Sequence, residues 1–143
     1  MSLLVAVDFS PVTARQIDAV RRLAAPGRRV FVLHVAEPDP DFVGFEGGPD
    51  EVRDQIAAEY REEHRRVQEL AAQLRDAGLE ATALLVQGPT VATILEQAER
   101  LEADALVVGS HGRSAIFDLV AGSVSSGIIR RSRVPVLVVP ARD

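Results

Sequence analysis

The sequence predicts an α/β domain of three layers, in which four helices cover both faces of a five-stranded parallel sheet. Two observations predict this fold class. Five short apolar runs alternate with four segments whose apolar residues recur at helical spacing, and this alternation indicates strands joined by helical crossovers. The first run is continuously apolar, which is typical of a strand buried on both faces. Because such crossovers are right-handed in almost every known protein, we expect one open, doubly wound sheet.

The first strand is predicted over residues 3–8, where the apolar run ends in Asp8. Ser10 is expected to cap the first helix, with Pro11 at the first helical position. The buried face of that helix is expected to hold four apolar residues, Ala14, Ile17, Val20 and Ala24. The second strand is predicted over residues 29–35.

Residues 38–49 are rich in proline, glycine and aspartate and are predicted to form a loop that exposes Phe42 and Phe45. About twelve irregular residues are long for a connection in a compact domain. Such a loop often closes over a ligand or contacts a partner. It can equally be a mobile surface segment, and the sequence leaves these alternatives open.

The second half of the chain supplies the remaining elements. In order, we expect a helix over 50–77 stopped by Gly78, a strand over 79–87, a helix opened by Gly88 and Pro89, a strand over 103–108, a helix over about 123–132 and a strand over 134–139. Pro135 near the start of the last strand suits an edge position or a strand end.

The length and composition of the chain exclude several classes of function. The 143 residues suit one domain over 1–143, and no apolar run approaches the roughly 20 residues of a membrane span. We expect no signal peptide and a cytoplasmic location, which the absence of cysteine fits. The net charge of −5 argues against nucleic-acid binding. The chain has no lysine, which excludes a Walker A phosphate loop, and no dinucleotide-binding glycine motif follows the first strand.

In doubly wound sheets ligands bind outside the carboxyl ends of the strands, where the strand order reverses. Asp8 ends the first strand, and the fourth is followed by Gly109, Ser110, His111, Gly112, Arg113 and Ser114. A carboxylate on strand one and a glycine loop on strand four fit a sheet ordered 3-2-1-4-5. The predicted site lies between them.

Glycines in the predicted loop point to a polyphosphate. Gly109 and Gly112 leave backbone N–H groups free to converge on an anion, and Gly122 and Ser123 stand where the fourth helix begins. A helix N-terminus adds unpaired donors, and Arg113 could add a charged contact. The alternative that these glycines only form turns or helix caps stays open on this argument.

Three stretches of the chain resemble the ATP-binding branch of the universal stress protein family. They are the opening Leu4-Val5-Ala6-Val7-Asp8-Phe9-Ser10, the strand end Leu33-His34-Val35, and the spacing Gly109-x2-Gly112-x9-Gly122-Ser123 followed by Val134-Pro135-Val136. The resemblance runs the full length of the chain. It implies an adenine nucleotide alpha hydrolase-like fold with bound ATP, accompanied by Mg²⁺.

The resemblance also implies roles for individual residues. Ala6 and Asp8 would line the adenosine pocket, the backbone of Val35 would meet the adenine edge, and Val108 would form the pocket floor. The loop from Gly109 to Ser114 would wrap the ribose and phosphates. Three residues at the start of the fourth helix would close on the phosphates: Gly122, Ser123 and Val124. Asp8 contacts ribose, places a metal or caps the first helix, and the sequence leaves these roles open.

Family members commonly pair through the last strand, so the resemblance implies a homodimer seam over residues 136–139, unless the C-terminal tail covers that edge. The implied function is a small dimeric regulatory switch in the stress response, which changes with ATP occupancy and is read by a partner protein. The alternative is a slow ATPase or phosphotransfer protein using the same site.

The three histidines are scattered and show no metal-ligand spacing. His111 lacks a readable nucleophile and orienting residue, so we assign it to loop structure or ligand contact rather than to catalysis. His34, at a strand end, is predicted to be a hydrogen-bonded structural residue. His64 falls on the charged face of the second helix and is predicted to face solvent.

Overall fold

The computed structural model describes residues 2–36, 50–110 and 123–141, with the side chains of residues 50–52 and 123 left aside. The predicted loop over 38–49 lies outside the described residues. So do five of the predicted site residues: His111, Gly112, Arg113, Ser114 and Gly122.

Five parallel strands form one sheet in the order β3-β2-β1-β4-β5, which confirms the predicted fold class and strand order. Along the chain the elements are β1 (Ser2–Ala6), α1 (Val12–Leu23), β2 (Arg29–Ala36), α2 (Asp50–Asp76), β3 (Glu80–Gln87), α3 (Thr90–Arg100), β4 (Ala105–Gly109), α4 (Ser123–Arg131) and β5 (Val136–Val139). The order reverses between β1 and β4, whose register ends with Val5 opposite Val107.

Two apolar layers hold the helices on the sheet. One lies on the α1 and α2 side and contains Ile17, Val20, Val67, Ala71 and Leu74 together with alternate strand residues. The other lies on the α3 and α4 side and is built around Leu4, Leu33, Ile94, Leu106 and Ile128. Because side chains alternate along a strand, neighbouring residues of β1 and β2 serve opposite layers.

The start of α1 differs from the prediction. Pro11, at φ −56° and ψ −25°, occupies the cap position, and the helix begins at Val12. The Ser10 carbonyl accepts a hydrogen bond from the Thr13 N–H at 2.9 Å, but the Ser10 hydroxyl has no partner in the part of the chain that the structure describes. The predicted side-chain cap at Ser10 is therefore wrong, because proline has taken the cap position.

Among its described side chains, those of the second half of helix α2 pack on the sheet. Val67, Ala71 and Leu74 are fully buried, whereas every described residue from Arg53 to Glu62 is exposed, including Ile56 and Tyr60. His64 is exposed on this helix, as predicted. Among the described residues, no helix is long and apolar enough to cross a bilayer.

Candidate functional site

Three of the predicted pocket residues lie in one layer. Ala6 is the last residue of β1, Val35 lies near the end of β2, and Val108 lies near the end of β4. Val35 and Val108 are buried, with 8% and 2% of their surface exposed, and half-buried Ala6 packs against the same α3-side core. The sheet order therefore brings together residues that are far apart in sequence, at the carboxyl ends of three adjacent strands.

Asp8 lies in the turn between β1 and α1. Its Oδ1 accepts a hydrogen bond from the Ser10 N–H at 2.9 Å, so the carboxylate orders the turn that leads into the helix. Within the described residues the other oxygen, Oδ2, has no partner. Phe9, between these two residues, has a φ of 61°, in the left-handed region that an aromatic residue seldom adopts.

Gly109 ends β4 beside the first turn of α1. A Cβ built on it would lie 2.5 Å from the Val12 Cγ1 atom, closer than real carbon atoms come. Its φ is not among the positive values of the described glycines, which occur at Gly27, Gly78 and Gly88. Gly109 thus serves close packing of strand against helix, and its backbone does not adopt the positive φ that glycine permits.

The backbone of Ser110 is already engaged. Its N–H donates to the Val139 carbonyl at 2.8 Å, which extends the pairing of β4 with β5. Its hydroxyl oxygen accepts from the Ala141 N–H at 3.0 Å, and its carbonyl accepts from the Ser125 hydroxyl at 3.4 Å. A ligand can therefore reach Ser110 through its hydroxyl, while the Ser110 N–H is not available to a phosphate in this arrangement.

The gap between β1 and β4 is closed by Gln16, which sequence reasoning missed. Its side chain is 1% exposed, and Nε2 donates to the Ala6 carbonyl at 2.7 Å and, more weakly, to the Val107 carbonyl at 3.5 Å. The amide bridges the two strands just beyond the end of their mutual register. A glutamine inside the apolar stripe of an otherwise amphipathic helix is the pattern that could have revealed it.

Two further hydroxyl groups lie at the start of α1. The Oγ of Ser10 and the Oγ1 of Thr13 are buried and have no hydrogen-bond partner among the described residues. Buried hydroxyl groups normally find a partner, and those that lack one carry a free-energy cost. The region beside Asp8 therefore holds polar groups that the described protein leaves unsatisfied.

Helix α4 begins at Ser123, at the position predicted for phosphate contact, and Val124 follows with 37% of its surface exposed. His34 is buried and hydrogen-bonded, as predicted, with Nδ1 2.8 Å from the Val7 carbonyl oxygen. Within the described ranges no group of three or more acidic, histidine or cysteine side chains could hold a metal ion.

Two side chains on the exposed face of α2, away from the strand ends, have shifted pKa values. A hydrogen bond from Arg65 lowers the pKa of the Glu62 carboxyl, and the same contact, with Glu69 adding to it, raises the pKa of the Arg65 guanidinium. Both groups are solvent-exposed, so this pair belongs to the helix surface.

Comparison with known proteins identifies the family. The chain is 29% identical to universal stress protein YxiE of Bacillus subtilis, over 96% of this chain and 97% of that protein. It superposes with a TM-score of 0.84 on protein MJ0577 of Methanocaldococcus jannaschii, at 24% identity over 99% of this chain and 96% of the other.

A universal stress protein solved in complex with cAMP is 25% identical, with a TM-score of 0.68 and coverage of 99% of this chain and 98% of that one. The model of the universal stress protein family matches residues 1–140. That match spans nearly the whole chain, and this protein therefore belongs to the universal stress protein family.

Proposed function

We propose that this chain binds ATP, with Mg²⁺ accompanying the triphosphate, at the carboxyl ends of β1, β2 and β4. The observation that carries the proposal is the convergence of Ala6, Val35 and Val108 in one layer, with Asp8 and Gly109 at the neighbouring strand ends. This edge contains the point where strand order reverses, which is the usual ligand position in such sheets. The cAMP complex of a related protein supports an adenine nucleotide as the ligand.

In this proposal the residues at the strand ends bind the adenosine part of ATP. The Val35 backbone meets the adenine edge, Val108 forms the floor, and Ala6 leaves room beside it. Asp8 accepts a hydrogen bond from a ribose hydroxyl through Oδ2, because Oδ1 is engaged by the Ser10 N–H. The fit is supported by this unpartnered oxygen and by the unsatisfied Ser10 hydroxyl in the same turn.

In this proposal the glycine-rich segment and the start of α4 bind the phosphates of ATP. We assign phosphate contacts to His111, Gly112, Arg113, Ser114, Gly122, Ser123 and Val124, with Gly109 and the Ser110 hydroxyl at the ribose end. A helix that begins at Ser123 directs the positive end of its dipole toward an anion bound there. The Mg²⁺ would neutralise the triphosphate charge when ATP binds.

We further propose that the protein is a homodimeric switch of the stress response in the cytoplasm, read by a partner protein. Strand β5 is the sheet edge and pairs with β4 alone among the described strands. Leu137 exposes 40% of its surface there. Antiparallel pairing of two Val136–Val139 strands would cover an apolar edge that otherwise invites aggregation.

The first experiment identifies, by mass spectrometry, any nucleotide in protein purified without added ligand, and then titrates the protein with Mg-ATP in a calorimeter. Saturable binding of about one ATP per chain, without hydrolysis on standing, supports the switch. Accumulation of ADP and phosphate at a rate lost in Gly122→Val would favour the slow ATPase. A folded protein that binds no nucleotide would refute the proposal.

A further inference from the structure

His34 joins three elements at the carboxyl edge of the sheet. It belongs to β2, its Nδ1 lies 2.8 Å from the Val7 carbonyl oxygen at the end of β1, and its Nε2 lies 2.7 Å from Oε2 of Glu63 on α2. The imidazole is 10% exposed and the Glu63 side chain 30% exposed. Since Asp8 and Val35 are the chain neighbours of Val7 and His34, this ring sits directly behind the proposed adenosine pocket.

Both ring nitrogens of His34 face atoms that accept hydrogen bonds. The Val7 carbonyl has no hydrogen to donate, so Nδ1 carries one. An ionised Glu63 carboxylate also only accepts, so the contact at Nε2 requires a second ring proton or a proton on the carboxyl group. For both contacts to be hydrogen bonds, the pair must hold one proton more than a neutral imidazole beside a carboxylate. Once that proton leaves, the Nε2 lone pair and a carboxylate oxygen face each other with no hydrogen between them.

Phe9 connects this pair to the Asp8 turn. Its ring centroid lies 4.3 Å from that of His34, and the Arg66 guanidinium carbon lies 4.3 Å from the Phe9 centroid. The φ of 61° at Phe9 is unfavourable for a residue with a side chain, so such a backbone persists only where its surroundings hold it. The His34 ring and the Arg66 guanidinium, the latter a cation–π contact, both contact the Phe9 ring, which also packs against the core on the α1 and α2 side.

Charged groups act on the imidazole from both elements packed against it. From α2, the Glu63 carboxylate favours the additional proton and Arg66 opposes it. From the turn after β1, the nearby charge is Asp8, whose Oδ1 is engaged by the Ser10 N–H. On the neighbouring strand β3, uncharged Leu85 stands opposite His34.

We propose that His34 is a positioning residue: the proton that it shares with Glu63 fixes the Asp8 turn against α2, and release of that proton weakens nucleotide binding. The inference rests on the proposed nucleotide site. Its sign follows from the hydrogen-bond count: binding should be tighter at low pH, where the pair keeps the additional proton, and weaker at high pH, where the pair has lost it.

Glu63→Gln is the decisive variant. A glutamine amide can donate to the Nε2 of a neutral imidazole, which keeps both ring contacts without the additional proton. We expect the dissociation constant of wild type for Mg-ATP to rise about tenfold from about pH 6 to about pH 9, the order expected for loss of one charge-assisted hydrogen bond. Glu63→Gln should lose most of that change, and His34→Ala should bind weakly at both pH values. Titration of the nucleotide phosphates is common to all variants and cancels in the comparison.

Hydrogen exchange of the Ser10 amide, which donates to Asp8, tests the inference without nucleotide. After correction for the intrinsic exchange rate, protection of this amide should fall at high pH in wild type and stay level in Glu63→Gln. If no variant binds nucleotide, the proposed function fails and this exchange still decides the inference. Identical pH profiles of wild type and Glu63→Gln in both measurements, or wild-type protection in His34→Ala, would overturn it.

Discussion

Gly109 and Val12 approach so closely that a Cβ on the glycine would lie 2.5 Å from the valine Cγ1. Val12 is the first residue of α1 and is 3% exposed, so it has little room to move aside. The end of β4 and the start of α1 both border the proposed site. The absence of a side chain at Gly109 therefore sets how tightly the sheet and helix close at this point.

Gly109→Ala should lower the free energy of unfolding by about 1–3 kcal/mol, because the added methyl group overpacks a filled space. Urea denaturation followed by circular dichroism measures this change. Val12→Ala should restore part of the loss when combined with Gly109→Ala, although it is destabilising alone, because it removes the two methyl carbons nearest to the added Cβ. Additive effects of the two substitutions would contradict this explanation.

Gln16→Met should lower the free energy of unfolding by about 1–3 kcal/mol, because methionine keeps the length of the side chain but cannot donate to the Ala6 and Val107 carbonyl groups. Gln97→Met, at a buried glutamine of α3, is the matched control for a change of side-chain type. Melting temperature and urea midpoint both report the loss. An effect at Gln16 no larger than in the control would show that the strand bridge adds no stability.

The sequence was sufficient to predict the sheet because strand order depends on patterns that extend along the chain. Continuous apolar runs and crossover helices leave few alternatives, and the carboxylate after β1 and glycines after β4 indicated which strands meet. Ala6, Val35 and Val108 lie in one layer because of the same strand order together with the alternation of side chains along each strand.

The details that the sequence did not reveal depend on single contacts across the fold. Proline and serine are both common at helix starts, so nothing local shows that Pro11, and not Ser10, takes the cap position. Engagement of the Ser110 N–H by Val139 depends on how far β5 extends beside β4. The bridge made by Gln16 needs the distance between two strand ends, which no residue pattern contains.

Leu137→Asp should convert the proposed dimer into a monomer. In an antiparallel seam around a two-fold axis, residues near the centre of Val136–Val139 face the same segment of the partner, so two carboxylates would repel across the edge. Sedimentation velocity measures the change. Leu23→Asp is the matched control, because Leu23 is 68% exposed at the end of α1, far along the chain from β5. A wild-type monomer, or a Leu137→Asp dimer, would contradict pairing through this strand.

Asp8→Asn and Asp8→Ala separate the two roles of this side chain. Asparagine retains an oxygen that can accept the Ser10 N–H, so stability should change little, but loss of the charge should weaken Mg-ATP binding about three- to tenfold. Alanine should weaken binding further and should also destabilise the turn, by about 1 kcal/mol in urea denaturation. Because Asp8 is assigned to ribose, the dependence of binding on magnesium concentration should be the same in both variants and in wild type. Calorimetric titrations at several magnesium concentrations measure this. Wild-type affinity in Asp8→Ala would refute the assignment of Asp8 to ribose. Loss of the magnesium dependence would instead indicate that Asp8 is a metal ligand.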